Sequence, residues 1–101
     1  MVAELTDVSN IRKGNVLVDF YTTSCGPCKA MSPILEEISK EFANIKVAKV
    51  DVTRNPDMSQ MFGVMSVPTV FFMKDNKVRH TARGLQNKAT LKTMVLQLIN
   101  G

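Results

Sequence analysis

The sequence predicts an α/β fold, a mixed β-sheet with helices packed on both faces, and three observations carry that prediction. NVLVDFY at 15–21 is continuous and β-rich, as a strand buried on both faces is, and IKVAKVDV at 45–52 reads as a second buried strand. The segment TVFFMKDNKVRHTA reads as an antiparallel hairpin turning at Asp75-Asn76. Between and after these strands lie segments whose apolar residues recur at helical spacing. In such a sheet an active site belongs at the carboxyl end of a central strand.

Taken in order, Val2 to Leu5 reads as a short first strand and Asp7 to Arg12 as a weak helix. NVLVDFY follows as the first fully buried strand. Ala30, Met31, Ile34, Leu35, Ile38 and Phe42 then form one helical stripe, with Pro33 inside it expected to kink the helix without ending it. After IKVAKVDV, the stretch NPDMSQMFG predicts a short helix closed by Gly63. The last helix carries Leu91, Met94, Val95, Leu98 and Ile99, with Asn87 as its cap.

A chain of 101 residues, 45% hydrophobic and 22% charged, fits one globular domain over 1–101, so one site should carry the function. The first residues lack the apolar core of a signal peptide and no apolar run nears the roughly 18 residues of a membrane span, which predicts a cytoplasmic protein with no membrane partner. The formal net charge is +4, and Lys74, Lys77, Arg79 and Arg83 cluster late in the chain. That excess is mild and reads as a solvated face or edge protection, so no direct nucleic-acid binding is expected.

Both cysteines of the chain lie in VDFYTTSCGPCKAM, where the buried strand runs out and a helix begins. In a reducing cytosol such a pair is catalytic, redox-sensing or metal-binding rather than structural. At a helix start, Cys25 faces the unpaired N–H groups of the first turn, which favours its thiolate. Gly26 is read as letting the chain turn tightly beside that sulfur, and Pro27 suits a helix start because its missing N–H has no partner there. Cys28 comes back beneath Cys25 within disulfide reach.

Lowering a thiol pKa from about 8.5 to about 7 raises its thiolate fraction at neutral pH from roughly 3% to roughly 50%. The attendant loss of nucleophilicity is roughly fivefold, so about a threefold advantage remains, with a larger benefit as leaving group. Attack on a substrate disulfide by Cys25, followed by attack of Cys28 on Cys25, releases the reduced substrate. A zinc site needs about four ligands, and two cysteines with His80 cannot close one within a monomer; a dimer sharing a metal stays open. His80 and Tyr21 are read as structural.

By these residues the chain resembles the thioredoxin family: VDFYTTSCGPCK, Pro33, VAKVDV, FGVMSVPTVFFMKDNKV and Gly84, a match along nearly the whole chain. The resemblance implies a four- or five-stranded thioredoxin fold and a general protein-disulfide reductase acting as a monomer. It implies no bound cofactor and no metal. Reducing equivalents are expected from NADPH through a separate flavoprotein thioredoxin reductase.

It also implies roles. Asp19 matches a buried aspartate that exchanges a proton with the second cysteine, here Cys28, and a carboxylate between Val18 and Phe20 is costly to bury unless used. Lys49 matches the lysine near that aspartate. Val67-Pro68 matches a cis dipeptide beside the cysteines, which leaves Val67 free to pair with an extended substrate. Gly84 keeps the neighbouring wall of the groove low.

The departure is Ser24, at the groove rim where the family nearly always has tryptophan; the chain has no tryptophan at all. This bears on partner recognition, and a dedicated donor in place of a generic reductase is one expectation. A rival function is a non-catalytic binding subunit using the fold as a docking surface, for example for a polymerase.

Overall fold

The computed structural model describes residues 2–101, with Asn10 described through its backbone alone, so Met1 of the expected 1–101 domain lies outside the described residues. The strands are β1 (Val2–Glu4), β2 (Asn15–Tyr21), β3 (Ile45–Asp51), β4 (Thr69–Lys74) and β5 (Lys77–Arg83). The helices are α1 (Gly26–Glu41), α2 (Pro56–Met61) and α3 (Lys88–Asn100). The sheet order is β1-β3-β2-β4-β5, parallel through β1, β3 and β2 and antiparallel through β4 and β5. Strand β2 is central, and its residues 16 to 20 are all buried.

Its alternation divides the core in two. Leu17 faces one side with Val47, Val70 and Phe72, covered by Met31, Leu35 and Ile38 of α1 and by Leu91, Val95 and Leu98 of α3. Val16, Val18 and Phe20 face the other side with Ala48, Val50 and Met58. There Phe20, Phe62 and Phe71 stack at centroid separations of 5.2–5.5 Å, pinning the segment after α2 to the sheet.

The first strand ends at Glu4, one residue short of the expected boundary. The weak helix contracts to a 3-10 turn at Ser9–Ile11, held by Ile11, which is buried. Ala30 is exposed and falls outside the buried stripe of α1, because the helix presents Met31, Leu35 and Ile38 to the sheet instead. The helix runs through Pro33 unbroken. Gly63 closes the segment after α2 at φ +66, a left-handed conformation that glycine adopts without a Cβ penalty.

The hairpin turns at Asp75 and Asn76, both left-handed at φ 48 and 71, as a two-residue type I′ turn requires. Asp75 also exchanges two hydrogen bonds with Gly14: its N–H donates to the Gly14 carbonyl at 3.0 Å and its Oδ1 accepts from the Gly14 N–H at 2.9 Å. His80 is half-buried, edge-on to Phe72 across the strand pair at 6.3 Å, a ring contact the sequence did not reveal.

Asn87 caps α3, its side chain accepting from the Thr90 N–H at 2.8 Å. Removing that acceptor orphans an N–H of the first turn. Asn87→Ala is expected to lower stability by about 1 kcal/mol and the melting temperature by roughly 4–8 °C. Urea denaturation should show a lower midpoint with an unchanged slope; an unchanged midpoint would mean that the cap contributes nothing.

Candidate functional site

Strand β2 ends at Tyr21, and a loop through Thr22, Thr23 and Ser24 brings the chain to Cys25, the N-cap of α1. Cys25 is extended at φ −89 and ψ 114, and its Sγ accepts the Cys28 N–H at 3.1 Å. A sulfur thus does what serine or aspartate oxygen does at other helix starts. The two cysteines are joined as a disulfide with Cα atoms 5.2 Å apart. Cys28 is buried, 5% exposed, whereas Cys25 is only half-buried.

Pro27 is the second residue of the helix, where no N–H is needed. Gly26 is different from expectation. It has no left-handed backbone, and a Cβ built on it meets no atom within 4 Å. The turn at the first sulfur is made by the extended Cys25 itself, so glycine leaves open space here rather than enabling the bend.

Under α1, Asp19 projects to the same side of the sheet as Leu17 and is 4% exposed, with its Oδ1 lacking any hydrogen-bond partner among the described residues. Desolvation raises its pKa to about 7, against a lowering influence of Lys49 and a further raising one from Glu4. Lys49 stands directly beside Asp19 in the parallel register of β2 and β3. It is not at a sheet edge, because β1 lies on its other side. Asp19, Lys49 and Cys28 line one cavity of about 310 Å³, which also touches Tyr21, Lys29 and Ser32.

Two residues that hold Lys49 in place beside this cavity, Tyr21 and Glu4, escaped the sequence. The Tyr21 hydroxyl donates to Glu4 Oε1 at 2.6 Å, and Lys49 Nζ lies 3.9 Å from the same oxygen and 5.3 Å over the Tyr21 ring. Burial, followed by that bond to Glu4, raises the Tyr21 pKa, so the phenol stays a donor. Tyr21 could have been found from its two-residue offset from Asp19, which puts both on one face. Glu4 could not, since its position opposite Lys49 depends on β1 pairing with β3.

The chain at Val67-Pro68, whose peptide bond is cis, leads into β4, where Thr69 pairs with Phe20 near the end of β2. Among the described residues Val67 makes no backbone hydrogen bond, while the Pro68 carbonyl accepts from the Gly84 N–H at 2.8 Å. Gly84 takes φ +84, so a side chain there would be strained even though space is open. Ser24 is exposed, its hydroxyl 3.5 Å from that of Thr22. Met65, 96% exposed, lies two residues before Val67 and Leu85, 54% exposed, directly follows Gly84, and neither was anticipated. Among the described residues no group of three or more His, Cys, Asp or Glu could hold a metal, and no helix is long and apolar enough to cross a membrane.

Because the Asp19 pKa is raised on folding, the folded state holds a proton that the unfolded chain releases above about 3.8. Stability should therefore fall as pH rises from about 3.8 to about 7, then level off, with a total loss on the order of 4 kcal/mol. Asp19→Asn should flatten that slope and be the more stable protein at pH 8. Urea denaturation across this pH range checks it; parallel pH profiles for the two proteins would remove Asp19 as the source.

A family model described as Thioredoxin matches residues 4–97. A thioredoxin of Listeria monocytogenes is 41% identical over 99 residues, covering 94% of this chain and 96% of its own. One of Mycobacterium bovis is 46% identical over 87 residues, covering 85% of this chain and 74% of its own. Among solved structures, mitochondrial thioredoxin 3 of Saccharomyces cerevisiae in its oxidized form superposes with a TM-score of 0.86 at 28% identity, covering 95% of this chain and 94% of its own. A mutant thioredoxin from Halobacterium salinarum gives 0.90 at 27% identity, with 96% and 89% covered.

Proposed function

The chain belongs to the thioredoxin family and is a thiol–disulfide oxidoreductase, and we propose that residues 1–101 work as one domain that reduces protein disulfides through Cys25 and Cys28. The observation that carries this reading is the Cys28 N–H donated to Cys25 Sγ at 3.1 Å, on the more exposed of the two sulfurs. In the dithiol the same N–H and the start of α1 favour negative charge on Cys25.

The Cys25 thiolate attacks one sulfur of the substrate disulfide, forming a mixed disulfide and expelling the first substrate thiolate. Cys28, whose thiol loses its proton to the Asp19 carboxylate, attacks Cys25 Sγ and expels the second. An acceptor with a pKa near 7 is matched to this proton transfer at neutral pH. Lys49, held by Glu4 and Tyr21, keeps a positive charge beside Asp19 without a direct ion pair to it. Val67 pairs with the extended substrate segment, Pro68 and Gly84 shape the groove, and Ser24 stands at its rim. Gly26 and Pro27 tune the pair through the helix start.

The disulfide left on the protein is re-reduced by electrons from NADPH through a separate flavoprotein, either a thioredoxin reductase or a donor dedicated to this chain. The protein carries no bound cofactor of its own and acts as a monomer in the cytoplasm, where a reducing pool suits a catalytic disulfide.

Alkylation of the dithiol at neutral pH is expected to label Cys25 first, and Cys28→Ser to accumulate mixed disulfides with partner proteins where Cys25→Ser does not. Preferential labelling of Cys28 would reverse the assignment. Asp19→Asn should slow release of substrate more than its capture in single-turnover kinetics.

Ser24 tests the donor. An indole packed at that position could strengthen a partner contact by about 1.5–3 kcal/mol, one to two powers of ten in affinity. With a generic thioredoxin reductase, kcat/KM for Ser24→Trp should exceed that of the natural protein by about tenfold or more. No gain would mean that the serine does not set the choice of donor.

A further inference from the structure

Residues 76–101 hold five of the 13 Lys and Arg residues of the chain and none of its nine Asp and Glu residues. Two of the five, Lys88 and Lys92, pair with Glu37 and Glu41 across α1 and α3. The other three, Lys77, Arg79 and Arg83, are exposed on β5, and among the described residues none has a carboxylate within ion-pair distance. Because β5 is the outermost strand, one edge of the sheet carries uncompensated positive charge.

Charge of either sign protects an edge from unwanted pairing. The position of this charge says more than its presence. Arg83 immediately precedes Gly84, whose N–H is bonded to the Pro68 carbonyl, so the row of cations ends at the wall of the groove. Arg79 lies about 14 Å back along the strand, at about 3.4 Å per residue, nearly two Debye lengths at physiological salt but within one at an ionic strength of about 0.02 M. A segment lying against Val67 therefore meets apolar Met65 and Leu85 close by and a positive field beyond them.

We infer that the proteins this site serves carry Asp or Glu beside the disulfide to be reduced, and that Arg83 and Arg79 select them. The inference rests on the reading of Cys25 as attacking thiol and of Val67-Pro68 as the substrate groove. Its sign is diagnostic. Carboxylates next to a disulfide repel an incoming thiolate, so without the cations an acidic substrate reacts more slowly than a neutral one; with them it reacts faster.

The test uses three peptides with one internal disulfide each, flanked by Asp/Glu, by Ser/Gln or by Lys, and the reduced full-length protein in single-turnover mixing. At an ionic strength of about 0.02 M the acidic peptide should react about tenfold faster than the basic one and faster than the neutral one, converging to within about twofold at about 0.5 M. Arg79→Glu/Arg83→Glu should invert the order. Lys13→Glu/Lys40→Glu makes the same change in net charge at the far ends of β2 and α1 and should preserve it. An acidic peptide no faster than the neutral one at low ionic strength, or an order altered as much by the distant pair, overturns the inference and leaves disulfide reduction intact. Failure of all three peptides to oxidise the dithiol overturns that reading together with this one.

Discussion

Strand β2 is hydrogen-bonded along its length to β3 on one side and β4 on the other, and every group of chemical interest is positioned relative to it. A strand held on both sides cannot shift register without turning Leu17 and Val18 to the wrong faces. Its last residue therefore has a fixed place. From there the loop delivers Cys25 to the start of α1, while the antiparallel neighbour β4 starts just after Pro68 on the same edge of the sheet. The end of β2 and the start of β4 lie side by side because neighbouring strands of opposite direction share one end.

That arrangement also explains the electrostatics. Asp19 lies two residues before the end of β2, on the face that α1 covers, so the helix that presents Cys25 is the element that dries the carboxylate beneath it. One packing contact shapes both parts of the site. Lys49 could relieve the desolvation by pairing directly with Asp19, but Glu4 and the Tyr21 ring hold it to one side. The carboxylate is left buried and without a direct ion pair, the state in which desolvation rather than Lys49 sets its affinity for a proton.

Much of this was legible beforehand. The continuous run around Val18, the strand signal around Val47, the stripe from Leu91 to Ile99 and the cap at Asn87 are local signals, and local signals gave the elements with boundaries off by a residue or two. The cysteine pair and Asp19 stood out because polar or reactive residues interrupt apolar strands and helix starts. What stayed hidden is non-local. Glu4 meets Lys49 only through the pairing of β1 with β3, Phe62 joins Phe20 and Phe71 only once α2 folds back, and the Asp75 side chain reaches Gly14 across 61 positions. Gly26 misled for another reason: a glycine beside a turn suggests a need for left-handed backbone, which the extended Cys25 makes unnecessary.

The empty space beside Gly26 has a chemical consequence. With no neighbour within 4 Å of a built Cβ and an ordinary helical backbone, this position places almost no demand on the fold. It sits between two sulfurs whose relative stability as thiolates and as a disulfide depends on the polarity and donors around them. Most residues next to reactive groups answer to both packing and chemistry, so a useful change in one tends to spoil the other. Here the two demands are separated. A side chain added at Gly26 therefore meets the surroundings of the two sulfurs before it meets the packing of the fold.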